Sequence, residues 1–263
     1  MSPPSRLALL RPDGSPLREG VLGRGRTGVV VRRDDTALKL PLKYRTTGLS
    51  EAHTKLYNGY SDISCESLQH EKEVYQRLGP NCGIVPCLDL SGVGIQMALM
   101  ENGNLNDYLA QHRPAKPAQL AWFREMARTL IHIHDLCVIV ADIATRNFLL
   151  AADLSVKFSD FTESSILPLG TDMQAANDAG YSIYTDIGQL GAVMYEVVTG
   201  KPCKFDLYKD QPAGPATAAW PRREDLPSTQ DIWLGSIIET CWTKGAFQNT
   251  RKLLAALDSV ALG

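Results

Sequence analysis

Asp142-Ile143-Ala144-Thr145-Arg146-Asn147-Phe148-Leu149-Leu150 is the stretch that decides the reading. A carboxylate and a carboxamide stand five residues apart, ahead of an apolar run that reads as a strand. Thirteen residues beyond Asn147, a second strand-like run, Val156-Lys157-Phe158, leads into Asp160-Phe161. Phosphoryl transfer needs a carboxylate beside the acceptor hydroxyl and oxygen ligands for magnesium. Asp142 suits the first task, Asn147 and Asp160 the second. A turn rich in Asp and Asn accounts for any one of these residues alone. It accounts poorly for all three at this spacing behind the features upstream.

Those features begin with Gly23-x-Gly25-x-x-Gly28-x-Val30. Glycines let backbone N–H groups approach phosphate oxygens. A dinucleotide site would need a helix to start here, but Val29-Val30-Val31 continues as strand. Asp34-Asp35 reads as a tight turn, and Thr36-Ala37-Leu38-Lys39-Leu40 as the next strand. Between Leu38 and Leu40, Lys39 points away from the apolar face and can place a point charge on nucleotide phosphates. Glu71 and Glu73 on a following helix are the carboxylates able to position it.

Residues 1–16 read as a loose lead-in and 41–61 as an irregular polar insertion. A helix is expected over 64–78, ended by Gly79-Pro80, with strands over 84–90 and 94–99. Met100-Glu101-Asn102-Gly103-Asn104 is the candidate boundary. Beyond it the periodicity is helical over 104–111, 118–136 and 183–199, with Gly200 as a C-cap, and near 230–242 and 248–260.

The 263 residues suit one large domain or two small lobes. With 44% hydrophobic and 21% charged residues, the composition is that of a globular protein. A net charge of −2 offers no basic excess for nucleic acid or an anionic membrane. No apolar run is long enough to span a bilayer or form a signal-peptide core. The six cysteines are scattered without a C-x-x-C pair and read as reduced thiols of a cytoplasmic protein.

In this order the motifs resemble the eukaryotic protein kinases from about Leu17 to Leu262, as a degenerate stand-alone kinase domain. The resemblance implies an α+β, bilobal fold. Its N-lobe (17–97) is a small antiparallel sheet plus one helix; a hinge (98–103) leads to a mainly helical C-lobe (104–263). It implies ATP and Mg²⁺ as cofactors, with Lys39 on the phosphates and Glu71, seven residues before Leu78, orienting Lys39. Asn147 and Asp160 would hold the metal, and Asp142 would serve the acceptor. The nucleotide would contact Leu22, Gly23, Gly25, Gly28, Val30, Ala37, Lys39, Asn147, Leu149 and Asp160. Met97 would be the gatekeeper, with Ala98, Leu99 and Met100 facing adenine. Asp186-x-x-x-x-Gly191 and Cys241-Trp242 resemble segments specific to protein kinases rather than small-molecule kinases.

The pattern also departs from the family. H-R-D reads Val140-Ala141-Asp142, so no arginine is present to hold an activation-loop phosphate. D-F-G reads Asp160-Phe161-Thr162, and the β-branched Thr162 should suppress flipping of the segment. A-P-E is absent: its glutamate would fall at Gln174 and its arginine partner at Asn249, a neutral pair that a hydrogen bond could join. Asp160 to Asp186 is short for an activation segment. Ala144 and Arg146 give the loop a tyrosine-kinase character without fixing the acceptor. His134 reads as a core histidine, Tyr181 and Tyr184 as packing residues, and Arg222-Arg223 as a solvated pair. Three readings follow: a protein kinase acting as a monomer on an unknown protein partner, a pseudokinase working as a scaffold, and a small-molecule kinase.

Overall fold

The computed structural model describes residues 8–209 and 217–262. The chain divides into two compact units, Met1–Pro80 with Val85–Leu99, and Asn81–Ile84 with Met100–Gly263.

The first unit contains β1 (Leu9–Leu10), β2 (Val21–Arg24), β3 (Val29–Arg33), β4 (Thr36–Leu40), β5 (Lys43–Tyr44), α1 (Glu51–Leu78), β6 (Cys87–Asp89) and β7 (Ile95–Ala98). Five strands form an antiparallel sheet in the order β2-β3-β4-β7-β6. Lys39 lies opposite Val30 and Ile95, whereas Leu38 and Leu40 lie opposite Val31 and Val29. The side-chain period of two sends these sets to opposite faces. Val29, Val31 and Leu40 then join Leu42, Tyr44 and Tyr57 in one buried cluster.

Two expectations are corrected here. Residues 1–7 of the lead-in lie outside the described residues, but its later part is not loose: Leu9 pairs with Tyr44, and Leu10 bridges Pro16. Residues 41–61 are not an irregular insertion either; they hold β5 and the opening turns of α1. The Ser50 hydroxyl caps α1 by accepting from the His53 N–H. The buried residues Tyr57, Ser64, Leu68, Glu71, Tyr75 and Leu78 repeat at helical spacing. Tyr57 packs against Tyr44 with ring centroids 5.2 Å apart. That tertiary contact supports a polar first half that propensity alone would leave marginal.

The second unit contains α2 (Leu105–Gln111), α3 (Lys116–Asp135), β8 (Val138–Ile139), β9 (Phe148–Leu150), β10 (Val156–Phe158), β11 (Ser165–Ile166), α4 (Ile183–Thr199), α5 (Gly235–Trp242) and α6 (Thr250–Asp258). β9 pairs with β10, and β8 with β11, both antiparallel. α4 is buried at every position from Thr185 to Tyr195, as a helix in the middle of a core must be. Ser182 and Thr185 form a capping box at its start, and Gly200 closes it in the left-handed conformation. A Cβ on Gly191 would stand 2.7 Å from the Cys241 Cβ. The Trp242 indole N–H donates to the Gly188 carbonyl at 3.2 Å. The small residues of α4 thus admit the Cys-Trp pair of α5. The helix expected near 230–242 starts only at Gly235, because Asp231 and Leu234 take positive φ (62° and 61°) and break it. A strand-and-helix unit followed in the chain by a mainly helical one is the α+β organisation expected from the sequence.

Candidate active site

In the first unit the chemistry centres on β4. The Gly25 N–H donates to the Gly28 carbonyl at 2.9 Å, closing the glycine-rich turn between β2 and β3. A Cβ on Gly28 would lie 3.2 Å from the Lys39 Cε and 3.3 Å from the Leu40 carbonyl. The glycine there makes room for the lysine stem. Lys39 Nζ meets Glu71 Oε2 at 2.5 Å, with side chains only 8% and 1% exposed. At that depth a charge pair is weakly screened, and each member needs the other. Glu73 is exposed and accepts from Gln69, whereas Glu71 is buried against the lysine.

Register places Val30, Ala37 and Met97 on the face of Lys39. The Tyr75 hydroxyl of α1 donates to the Met97 sulfur at 3.6 Å. Leu22 and Gly23 lie on the exposed β2, and Ala98 donates its N–H to the Pro86 carbonyl at 2.9 Å. The unit boundary falls between Leu99 and Met100. Ser64, absent from the expected site, ties this region together. Its hydroxyl donates to the Thr27 carbonyl and accepts from the Leu42 N–H, each at 2.6 Å.

In the second unit Asp142, Asn147 and Asp160 come together along the backbone. The Asn147 Nδ2 donates to the Asp142 carbonyl and to its Oδ2, both at 2.9 Å. An Arg146 Nη2 reaches both Asp142 oxygens at 2.6 and 2.7 Å. The Asp142 side chain remains 33% exposed, so it is reachable from solvent. Ser159 donates to the Asn147 carbonyl twice, through its N–H at 2.9 Å and its hydroxyl at 2.8 Å. That bond sets Asp160, the next residue, beside the loop. Leu149 is half-buried on β9 and bridges Asn104.

What holds this loop is a polar stripe on α4. Asp186, fully buried, accepts from the Val140 and Ala141 N–H groups and from His134 Nε2, all at 2.9 Å. Gln189 accepts from the Ile143 N–H at 3.1 Å and donates to the Ala141 carbonyl at 2.8 Å. Glu196 accepts from the Thr145 hydroxyl at 2.7 Å. The Thr250 hydroxyl completes the far side of His134, on Nδ1 at 3.0 Å. None of these anchors stood among the expected site residues. Their signal was polar residues at helical spacing inside an otherwise apolar helix.

One further expectation fails. Asn249 caps α6, accepting from the Lys252 N–H at 3.2 Å, and makes no hydrogen bond to Gln174, which is exposed. Arg222 and Arg223 are exposed, as expected of a solvated pair, and carry surface ion pairs. Arg223 binds Glu239 through two bonds of 2.6 Å and stands over the Trp242 ring, and Arg222 pairs with Glu224 and Asp225.

Magnesium takes oxygen donors, keeps several waters and binds through one or two carboxylates plus substrate phosphates. Among the described residues no group of three or more His, Cys, Asp or Glu gathers as a metal cage. One carboxylate and one carboxamide, Asp160 and Asn147, fit the sparser arrangement.

Over residues 19–257 the chain matches the family described as protein tyrosine and serine/threonine kinase. It belongs to that family. The chain is similar to a probable serine/threonine-protein kinase of Dictyostelium discoideum, 27% identical over 168 residues, covering 57% of this chain and 34% of the relative. It is 23% identical over 274 residues to the angiopoietin-1 receptor of Danio rerio, covering 88% and 23%. It is 29% identical over 158 residues to mitogen-activated protein kinase kinase 7 of Arabidopsis thaliana, covering 58% and 48%. The chain therefore spans less than half the length of each of these relatives. No helix among the described residues is long and apolar enough to cross a membrane.

Proposed function

We propose that the chain transfers the γ-phosphoryl group of ATP to a protein hydroxyl, with residues 17–263 acting as one kinase domain. The observation that carries this is the Asp142–Asn147–Ser159 arrangement. It presents one solvent-reachable carboxylate, and it fastens Ser159, the residue before Asp160, to the same loop. Lys39, held by Glu71, would neutralise phosphate charge. Asp142 would accept or orient the proton of the acceptor hydroxyl. Asn147 and Asp160 would supply oxygen ligands to magnesium, which when bound offsets charge on the phosphates. Leu22, Gly23, Gly25, Gly28, Val30, Ala37, Met97, Ala98, Leu99, Met100 and Leu149 would line the nucleotide. The scattered cysteines favour a cytoplasmic setting, and a net charge of −2, with no basic excess, favours a protein over a nucleic acid as the partner of a monomeric chain.

The test is Mg²⁺-dependent ATP turnover, or autophosphorylation, in wild type and Asp142→Asn. Loss of a general base lowers turnover by about 10²–10⁴-fold. Equal background turnover in both proteins overturns the reading. That result would favour a second one, a pseudokinase, for which Ala141, Thr162 and the missing Gln174–Asn249 contact speak.

A further inference from the structure

Thr162 stands where the family places glycine, and its side chain is engaged. The Thr162 hydroxyl donates to Asp160 Oδ1 at 2.7 Å. Asp160 has φ +59°, the left-handed region that a non-glycine residue occupies at a cost. Its neighbour Ser159 is fastened twice to the Asn147 carbonyl. The backbone of Asp160 is thus set by the residue before it, and the rotation of its carboxylate by the residue two after it. A β-branched side chain has few χ1 wells, so the hydroxyl is itself narrowly placed. Glycine at 162 would have no hydroxyl to offer the carboxylate.

We propose that Thr162 is a positioning residue that orients the Asp160 carboxylate toward a divalent cation. The proposal rests on the reading of Asp160 as a metal oxygen donor. Hydrogen-bond donors behind a ligating carboxylate fix its direction, and their loss costs metal affinity. The same threonine that restricts the segment's backbone also takes over the aiming of its aspartate.

The experiment measures Mn²⁺ binding by the loss of the free-ion electron paramagnetic resonance signal, with a non-hydrolysable ATP analogue present. Thr162→Val keeps the shape and removes the hydroxyl; Thr162→Ser keeps the hydroxyl. The expected result is Mn²⁺ affinity weakened about 10-fold or more in Thr162→Val and retained within about threefold in Thr162→Ser, the scale of lost outer-shell donors. Metal-free nucleotide affinity and the unfolding midpoint should stay at wild-type values in both. If Thr162→Val unfolds early, Thr162→Ala against Thr162→Ser carries the same contrast. Equal Mn²⁺ affinity with and without the hydroxyl overturns the proposal while leaving the kinase reading intact. Absence of nucleotide-dependent Mn²⁺ binding in wild type itself overturns the assignment of Asp160, and the proposal with it.

Discussion

Lys39 and Glu71 form an ion pair of 2.5 Å inside the first unit, with the glutamate side chain 1% exposed. Breaking a buried pair by neutralising one partner is far more costly than replacing both. Glu71→Gln should therefore lower the unfolding free energy by about 3 kcal/mol. The double variant Lys39→Met/Glu71→Leu should recover much of that loss and still show no turnover. Urea unfolding beside an ATPase assay separates the two effects. A double variant as unstable as the single one would mean that packing, not charge, dominates the site.

Asp186 receives three donors in a fully buried place. Asn at 186 keeps one acceptor and turns an N–H₂ toward an N–H. Hydrogen bonds to a charged acceptor carry roughly 1.5–3 kcal/mol each, so Asp186→Asn should cost about 3 kcal/mol or more. Gln189→Ala, which loses two neutral bonds, should cost about 2 kcal/mol. Chemical denaturation should rank them in that order, with turnover falling in both. The reverse ranking would contradict the assigned anchors.

Ala141 occupies φ +66°. Glycine adopts that region freely, whereas alanine is strained there by about 1–2 kcal/mol. Set against the greater freedom glycine has when unfolded, Ala141→Gly should raise stability by about 0.5–1 kcal/mol. A thermal melt checks this, and a lower midpoint would count against the strain.

The Arg223 guanidinium, hydrogen-bonded to Glu239, holds that carboxyl below its ordinary 4.5, with the Thr229 hydroxyl helping. A lowered folded-state pKa adds stability above the unfolded value. That stability is lost as pH falls through the folded one. The stability curve of wild type should bend downward below about pH 4.5 more steeply than that of Arg223→Leu. The pair is two-fifths exposed, so salt should flatten the difference. Identical acid limbs would show that the pair does not act in solution.

How much of this was legible depended on distance along the chain. Asp142, Asn147 and Asp160 were readable because they sit within one loop and its sequel. The bounds of α4 were readable because Ser182 and Gly200 mark its ends by local chemistry. The hold of Asp186 on Val140 spans 46 residues, and that of Arg223 on Glu239 spans 16, so neither leaves a local trace. The first half of α1 was hidden for a related reason. Its stabilising contact, Tyr57 on Tyr44, belongs to the fold rather than to helix propensity. Glu71 was separable from Glu73 only through its seven-residue distance from Leu78, and the burial pattern agrees.

The long α1 fixes more than the place of one glutamate. Six of its buried residues fall at 57, 64, 68, 71, 75 and 78, in steps of seven, four, three, four and three, with Lys72 and Val74 buried beside them. Each residue added between Tyr57 and Glu71 would swing the carboxylate about 100° around the axis, away from Lys39. Seven residues added or removed restore the phase to within about 20°. This helix therefore works as a vernier: a single-residue insertion between Tyr57 and Glu71 should be as damaging as loss of Glu71 itself, and a seven-residue insertion far less so.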